Sequence, residues 1–314
     1  MKAIVVTDRT AGTAGMTLVE RPEPDVAMLA SLEGANYGDV VVEVHASGFT
    51  GNELEWPSTW VDRRGFYRTP SIPGHEVAGV VTALSYGATG LSVGQRVFGL
   101  TDWTRDGTLA EYVVVEARNL APLPADVDFT VGAGVAMAGL TAWQGLFEHG
   151  RLQAGQRVLV HGAAGAVGSM ATQLARHAGA HVIGTGRAGG RQTAVDFGAH
   201  EYVDLDNDTL EDVGGVDLVF DVIGGDIQKR SARLVRAGGT LVTVTGPPEA
   251  RPADGLAIDF VVVSDRAQLG EIARLVRDGR VRTNIGTVAS LDDAVAAFNS
   301  TQRTKGKTVI RVRP

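Results

Sequence analysis

Short apolar runs, separated by glycine and proline, dominate the N-terminal part of the chain up to about Leu120. They are rich in β-branched residues and no long helical pattern stands between them, which predicts a compact β-rich domain. Residues 22–39 are expected to form a long, mixed connection. The predicted strands of this part are 3–7, 16–20, 40–46, 77–85 and 109–115.

After an apolar helical segment at 130–148, strand-like and helix-like segments alternate. In 167–178 the apolar residues recur at helical spacing, so one face can pack on a sheet. Such alternation predicts a parallel sheet covered by helices. The predicted strands are 157–161, 181–185, 201–205, 216–222, 239–245 and 258–263. The segment 281–314 is expected to hold a short strand, a helix at 291–301 and a final strand at 308–312.

The 314-residue chain is long enough for two domains, and 44% hydrophobic with 21% charged residues is a globular balance. A formal net charge of −7 argues against a nucleic-acid-binding surface, which needs clustered Lys and Arg. The absence of cysteine excludes disulfides, thiolate nucleophiles and thiolate metal sites. No stretch approaches the roughly 20 apolar residues that cross a bilayer, and residues 1–7 lack the pattern of a signal peptide. We therefore expect a cytoplasmic protein without nucleic-acid or membrane partners.

Residues 158–168, VLVHGAAGAVG, run from a predicted strand through small residues directly into an amphipathic helix. Glycine at 165 lets the backbone approach a pyrophosphate, glycine at 168 lets the helix pack closely, and the helix N-terminus offers N–H groups to the anion. The motif is AxGxxG rather than GxGxxG, but a strand before it and another after the helix favour a dinucleotide site over an ordinary tight turn. The predicted contacts are Ala164, Gly165, Ala166, Val167 and Gly168.

The end of the second predicted strand of this part bears on the choice of cofactor. An NAD site usually places Asp or Glu there, whereas this chain has GTGR at 184–187 and another arginine at 191. Two guanidinium groups suit a 2′-phosphate, so the sequence favours NADP(H), with Gly186, Arg187 and Arg191 as contacts. The alternative is that both arginines are solvated surface charges.

Several strings are weak singly but specific in their order and spacing: ASGF at 46–49, PGHEVAG at 73–79, GQRV at 94–97, GTLAEY at 107–112, AGLTA at 138–142 and the glycine loop. Together they resemble the medium-chain dehydrogenase/reductase superfamily, in particular its zinc-independent quinone oxidoreductase (zeta-crystallin-like) branch, over nearly the whole length. The resemblance implies an α/β fold. A GroES-like β-rich catalytic domain, 1–122 and 283–314, is combined with a Rossmann doubly wound parallel-sheet domain, 123–282. It also implies homodimers or homotetramers joined at the sheet edge, here 258–263.

Zinc-containing members of the superfamily hold the catalytic metal with a Cys of an early loop, the His of the Gly–His–Glu string and a later Cys. Here Thr50 and Met137 stand at the cysteine positions, while His75 and Glu76 remain. Threonine and methionine are poor zinc ligands, so we expect no metal. His75 and Glu76 are then interpreted as hydrogen-bonded structural residues.

The resemblance places the substrate near Thr50, Asn52 and Glu53, in a loop where relatives commonly carry Asn and Asp. Tyr67 is a candidate proton donor. Nearby aromatic residues form either a wall for a flat acceptor or simple domain packing: Phe49, Trp56, Trp60, Phe66 and Tyr67. The candidates on the nicotinamide side are Thr141, Val222, Gly224, Thr245 and Gly246.

Without a Lewis acid, a substrate that already carries an electron sink needs less help than an unactivated alcohol. We therefore expect an enzyme, a zinc-free NADPH-dependent oxidoreductase that transfers hydride to a quinone, an enone or a similar activated carbonyl compound. Two alternatives stay open: an enoyl-thioester reductase of the same superfamily and a non-catalytic NADPH-binding protein.

Overall fold

The computed structural model describes residues 1–24, 37–302 and 304–314, which form two compact units. The first unit comprises Met1–Met137, Ser264–Arg277 and Ile285–Pro314, and the second comprises Ala138–Val263 and Asp278–Asn284. The domain division expected from the sequence, 1–122 with 283–314 against 123–282, stays a prediction. In the described ranges no helix is long and apolar enough to cross a membrane. The cytoplasmic location also stays a prediction.

The strands and helices follow one another along the chain in the manner that the apolar pattern predicts. The strands are β1 (Lys2–Val5), β2 (Thr17–Glu20), β3 (Asp39–Gly48), β4 (Glu76–Leu84), β5 (Arg96–Leu100), β6 (Tyr112–Glu116), β7 (Leu120–Pro122), β8 (Arg157–Val160), β9 (His181–Gly186), β10 (Glu201–Asp204), β11 (Val216–Asp221), β12 (Val235–Thr243), β13 (Gly255–Asp259), β14 (Ile285–Ser290) and β15 (Lys307–Arg311). The helices are α1 (Pro57–Trp60), α2 (Phe129–Trp143), α3 (Ala166–His177), α4 (Arg191–Asp196), α5 (Gly225–Ala232), α6 (Arg266–Arg277) and α7 (Ala294–Phe298).

The first unit is organised around β3, which pairs with β4, β6 and β15 in a mostly antiparallel sheet of order β14-β15-β3-β4-β5-β7. Strands β1 and β2 form a separate antiparallel pair. A Cβ at Gly79 would lie 2.0 Å from the carbonyl oxygen of Glu43, so the close approach of β4 to β3 requires glycine there. Helix α6 is fixed to this unit by Arg266, whose Nε donates to Leu120 O (2.7 Å).

The second unit is a six-stranded sheet of order β10-β9-β8-β11-β12-β13 in which all neighbours are parallel. From β8 the chain continues to β9 and β10 on one side of the sheet, and from β11 it continues to β12 and β13 on the other side. In such sheets, ligands bind outside the carboxyl ends of the strands at the point where the order reverses. Helix α3 packs on β8 and β9, and the sheet interior holds fully buried Leu159, Ile183 and Phe220.

Helix α2 continues into a π-helical turn, Gln144–His149. The Gln144 side chain pairs with the backbone of Val263, because its Nε2 donates to Val263 O (2.8 Å) and its Oε1 accepts from Val263 N (3.1 Å). A side-chain amide therefore takes both polar backbone groups of a residue that follows β13.

The predicted fold class is confirmed, with a β-rich unit and a unit built on a parallel sheet. Strands β5 and β7 were not among the predicted strands, and β7, with three residues, is too short to show an apolar pattern. The predicted strand 258–263 is wrong from residue 260 onward and starts too late, since β13 is Gly255–Asp259. The predicted helix 291–301 is shorter in the structure, which has Ala294–Phe298. The connection 22–39 lies mostly outside the described residues.

Candidate functional site

The turn that follows β8 opens helix α3 without a capping side chain. Its N-cap residue is Gly165, whose N–H donates to Gly162 O (2.8 Å). Gly162 has a φ of 63°, in the left-handed region that favours glycine. Ala166 and Val167 begin the helix, and the first-turn N–H groups of a helix have no intrahelical acceptor. These groups are therefore available to an anion.

Gly168 is the point where helix α3 comes closest to the turn. A Cβ at this position would lie 2.1 Å from Gly162 O. On the other side of the turn, Asn284 Nδ2 donates to Ala164 O (2.8 Å). The close approach and the uncapped first turn fit a pyrophosphate group. Asn284 was missed in the sequence, because it is 120 residues from Ala164 and belongs to no motif.

The end of β9 carries the two arginines that were predicted to select the cofactor. The Arg187 side chain is exposed and pairs with none of the described residues, while its carbonyl oxygen accepts from the Tyr202 hydroxyl (2.7 Å). Arg191 donates instead to Tyr202 O (2.9 Å) and to Asp208 Oδ2 (3.0 Å). The two guanidinium groups thus differ, since Arg187 is unengaged and Arg191 is held within the unit.

A carboxylate does lie beside this position, on the neighbouring strand. Asp204 of β10 is in register with Gly186, but it is buried. Its oxygens accept from Asn207 Nδ2 (2.7 Å) and from Asp206 N (3.2 Å). The Asp204 carboxylate therefore stabilises the turn at 204–207 that follows β10.

The ends of β11 and β12 meet the glycine turn. A Cβ at Gly162 would lie 2.9 Å from Val222 Cγ2, and one at Gly224 would lie 2.8 Å from Thr245 Oγ1. Gly224 and Gly246 have φ values of 76° and 126°. The structure thus brings three of the predicted segments together, the glycine turn and the ends of β11 and β12. Thr141 is buried on α2.

In the first unit, Thr50 lies against Met137. The Thr50 hydroxyl donates to Met137 Sδ (3.4 Å), and the Thr50 N–H donates to Glu53 Oε2 (3.2 Å). The other oxygen of Glu53 accepts from Gly74 N (2.5 Å) and lies 3.7 Å from His75 Nε2. Glu53 therefore ties the Thr50 turn to the segment that carries His75.

Glu76 is a second fully buried carboxylate of this group. Its Oε1 accepts from Met137 N (3.0 Å), and its Oε2 pairs with Lys307 Nζ of β15. A Cβ at Gly48 would lie 2.5 Å from Glu76 Oε2, so glycine leaves the space that this side chain needs. Lys307 and Glu76 are 231 residues apart and no motif links them, so their pairing was not predicted.

Burial sets the protonation of these groups. It raises the pKa of Glu53 to about 8, and the charge of Glu76 adds to the rise. Burial also raises the pKa of Glu76, which Lys307 opposes. His75 shifts the other way, since burial and then the charge of Arg68 lower its pKa to about 3. At neutral pH, Glu53 is therefore mainly protonated and His75 is a neutral imidazole.

Two family models match parts of the chain. The model described as an alcohol dehydrogenase GroES-like domain matches residues 36–125, and the one described as a zinc-binding dehydrogenase matches residues 197–310. The quinone oxidoreductase of Mus musculus is 30% identical over 294 residues, which is 86% of this chain and 87% of that protein. The chain belongs to the quinone oxidoreductase branch of the medium-chain dehydrogenase/reductase superfamily. It is thus an oxidoreductase with a GroES-like unit and a nucleotide-binding unit.

Other relatives of this quinone oxidoreductase-like chain widen the comparison. A spectinabilin polyketide synthase system protein of Streptomyces orinoci is 34% identical over 88% of the chain, which spans only 13% of that protein. The solved quinone oxidoreductase of Coxiella burnetii has a TM-score of 0.86 at 24% identity, covering 100% of this chain and 99% of that one. A mycobacterial protein solved in complex with NADPH has a TM-score of 0.82 at 26% identity, covering 99% and 100%.

The side chains of Thr50 and Met137, which the resemblance to the superfamily matched with cysteines of its zinc-containing members, contact each other. His75 Nδ1 is bonded to Thr101 Oγ1 (2.9 Å), so both His75 and Glu76 have hydrogen-bond partners. In residues 1–24, 37–302 and 304–314, no three His, Cys, Asp or Glu side chains are grouped so as to hold a metal ion. That this family member works without zinc stays a prediction.

The aromatic residues of the first unit divide into two groups. Phe49 packs on Phe298 in the core (ring centroids 4.6 Å apart), and the buried Trp60 donates to Leu54 O, so these two serve packing. Trp56 instead lies near His75, together with Trp103, whose ring centroid is 5.0 Å from that of His75. Trp103 was missed in the sequence, because no family string includes it. Asn52, Phe66 and Tyr67 are exposed.

We predict that Glu53→Gln removes a pH dependence of stability. The native state holds a proton on Glu53 up to about pH 8, whereas the unfolded chain releases it near 4.5. Stability contributed by this group is therefore complete below 4.5 and is lost as the pH rises toward 8, by up to about 1.4 kcal/mol per pH unit. Thermal unfolding between pH 5 and 8 should show a flatter profile for Glu53→Gln than for the wild type.

The control is Glu55→Gln, an exposed position in the same turn, which should keep the wild-type slope. The glutamine at position 53 also loses one acceptor for a backbone N–H, so the slope rather than the absolute midpoint is the readout. Equal slopes for Glu53→Gln and the wild type would contradict the assignment.

Proposed function

We propose that the chain is an NADPH-dependent reductase of quinones, enones and similar activated carbonyl compounds. The observation that carries the proposal is the end of β9, where the exposed Arg187 guanidinium has no partner among the described residues and Asp204 is engaged in its own turn. A free guanidinium at this position suits a 2′-phosphate. The quinone oxidoreductase relatives and the mycobacterial neighbour in complex with NADPH support the proposal.

Thr50 is the candidate we favour for meeting the charge that forms on the substrate oxygen, because the family resemblance puts the substrate near its loop. When bound, NADPH supplies a hydride from C4 of its nicotinamide. The Thr50 hydroxyl donates only to a thioether sulfur, a weak acceptor, so turning to a substrate oxygen costs little. The Thr50 backbone is held by the bond from its N–H to Glu53 Oε2. Asn52 is a second candidate donor, and Tyr67, 85% exposed, is a candidate proton donor.

We predict that Arg187→Ala weakens NADPH binding about 10- to 100-fold and leaves NADH binding unchanged, because a charge-assisted bond to phosphate contributes about 1.5–3 kcal/mol. Arg191→Ala should have a smaller effect, since its guanidinium is already bonded to Asp208 and Tyr202. Titration calorimetry with NADPH and with NADH gives the two dissociation constants and so the preference between the cofactors. An unchanged preference for NADPH over NADH in a variant that combines Arg187→Ala with Arg191→Ala would overturn the choice of NADPH.

We predict that Thr50→Val lowers kcat for a quinone panel about 100-fold, because one donor to a developing oxyanion is removed. Thr50→Ser keeps the hydroxyl and should retain most of the activity. The measurement is NADPH oxidation followed by absorbance. Equal kcat for Thr50→Val and the wild type would remove Thr50 from the mechanism.

Enoyl-thioester reduction is the second candidate, favoured by the likeness to the Streptomyces orinoci polyketide synthase protein. That reaction calls for a placed tyrosine, and Tyr67 is the candidate that the sequence offers. Loss of most turnover in Tyr67→Phe, with an enoyl thioester as the best acceptor, would favour this function over quinone reduction.

We also propose that two copies of the chain pair through β13, an edge strand of the described sheet. Leu256 is 60% exposed, and Val261 and Val263 are 74% and 62% exposed, an apolar run that a second copy would cover. Light scattering after gel filtration should give a dimer, or a tetramer built from it. Leu256→Arg with Val261→Arg should give a monomer, and an unchanged mass would contradict this interface.

A further inference from the structure

The second unit contains a group of buried polar side chains between helix α5 and the sheet, each at most 1% exposed. We call it the α5 polar cluster; it consists of His161, Thr185, Asp221, Gln228, Ser231 and Thr243. Gln228 and Ser231 are three residues apart on α5 and so share one face of that helix. Helix α5 is thus fixed to the sheet through hydrogen bonds, which set direction more strictly than apolar contacts do.

One end of the cluster anchors α5 beside the glycine turn. The Ser231 hydroxyl donates to Ile227 O (2.7 Å), so it accepts from His161 Nε2 (2.7 Å). His161 Nδ1 then accepts from the Thr185 hydroxyl (2.7 Å). Burial lowers the pKa of His161 to about 4, which agrees with one proton on the ring. This end therefore has a single consistent set of donors and acceptors.

The other end of the cluster holds two loops. Asp221 Oδ1 accepts from Ile223 N and Gly224 N (both 3.0 Å), which fixes the loop after β11. Asp221 Oδ2 accepts from Gln228 Nε2 (2.8 Å) and from the Thr243 hydroxyl (2.9 Å). Gln228 Oε1 in turn accepts from Glu249 N (2.7 Å), in the loop after β12. One amide side chain thus spans both loops.

We propose that Gln228 is a positioning residue, which holds the loops at 222–225 and 245–249 in the arrangement that orients the nicotinamide for hydride transfer. The inference rests on the proposed function, because it takes these loops as the nicotinamide side of the nucleotide site. The Gln228 side chain is buried, so it is a positioning residue and not one that reacts. It acts through Asp221 and through the backbone of Glu249.

The first test compares Gln228→Met with Gln173→Met. Gln173 is also a buried amide of the second unit that bridges backbone groups, with Nε2 donating to Arg282 O (3.0 Å) and Oε1 accepting from Arg282 N (2.9 Å). Gln228→Met should lower kcat about 10- to 100-fold, because small misplacements of reacting groups are costly. It should leave the Kd of 2′,5′-ADP unchanged, and Gln173→Met should leave kcat unchanged. Equal kcat for the two variants would overturn the proposal.

The second test exchanges donor and acceptor. In Gln228→Glu two carboxylates face each other, and in Asp221→Asn two amide groups do, because Oδ1 and Oε1 are fixed by backbone N–H groups. The double variant restores a complementary pair, with the amide now at position 221. Each single variant should lose kcat, and the double variant should regain it. A folded double variant with kcat as low as that of Gln228→Glu would overturn the proposal.

The nicotinamide fluorescence of bound NADPH gives a readout that does not depend on turnover. Its anisotropy should fall in Gln228→Met and stay at the wild-type value in Gln173→Met, and equal anisotropy in both would overturn the positioning role. Wild-type protein that binds NADPH but reduces no acceptor would instead overturn the proposed function, and the anisotropy would still decide the role of Gln228.

Discussion

The second unit depends on one close contact, between the carbonyl oxygen of Gly162 and the backbone at position 168. No side chain of any size fits there, since even a Cβ would lie 2.1 Å from that oxygen. This lets α3 start directly at the carboxyl end of β8, where its first N–H groups are uncapped. The residue after β11, Val222, packs against the same turn at Gly162, and Thr245 after β12 packs against Gly224. Glycine at 162 and 224 leaves the space for these contacts.

The sequence predicted this unit well because its determinants are local. The alternating apolar segments and the glycine-rich turn each span at most a few tens of residues, and together they predict the parallel sheet. Hydrogen bonds between segments that are distant in the sequence have no comparable local pattern. Asn284 with Ala164 and Gln228 with Asp221 depend on how finished elements pack, and the polar residues involved resemble ordinary surface residues in the sequence.

In the first unit, the resemblance to the family singled out Thr50, His75 and Met137, and the structure shows Thr50 in contact with Met137. The resemblance did not reveal how this group is supported. One lysine serves two fully buried carboxyl groups, and the two groups are accommodated differently. Glu76 is paired with the charge of Lys307, whereas Glu53 keeps a proton and accepts from two backbone N–H groups. Burying both as unpaired charges would be very costly, so the division follows from the single lysine.

The amide of Gln144 has a consequence for the border of the parallel sheet. An unprotected outer strand is a template on which further chains can add without limit, as in fibrils. By taking both backbone groups of Val263, Gln144 keeps that residue from lengthening the border beyond β13, which has five residues. A short border restrains open-ended growth into aggregates, whereas the closed pairing of two copies proposed above does not need a longer one.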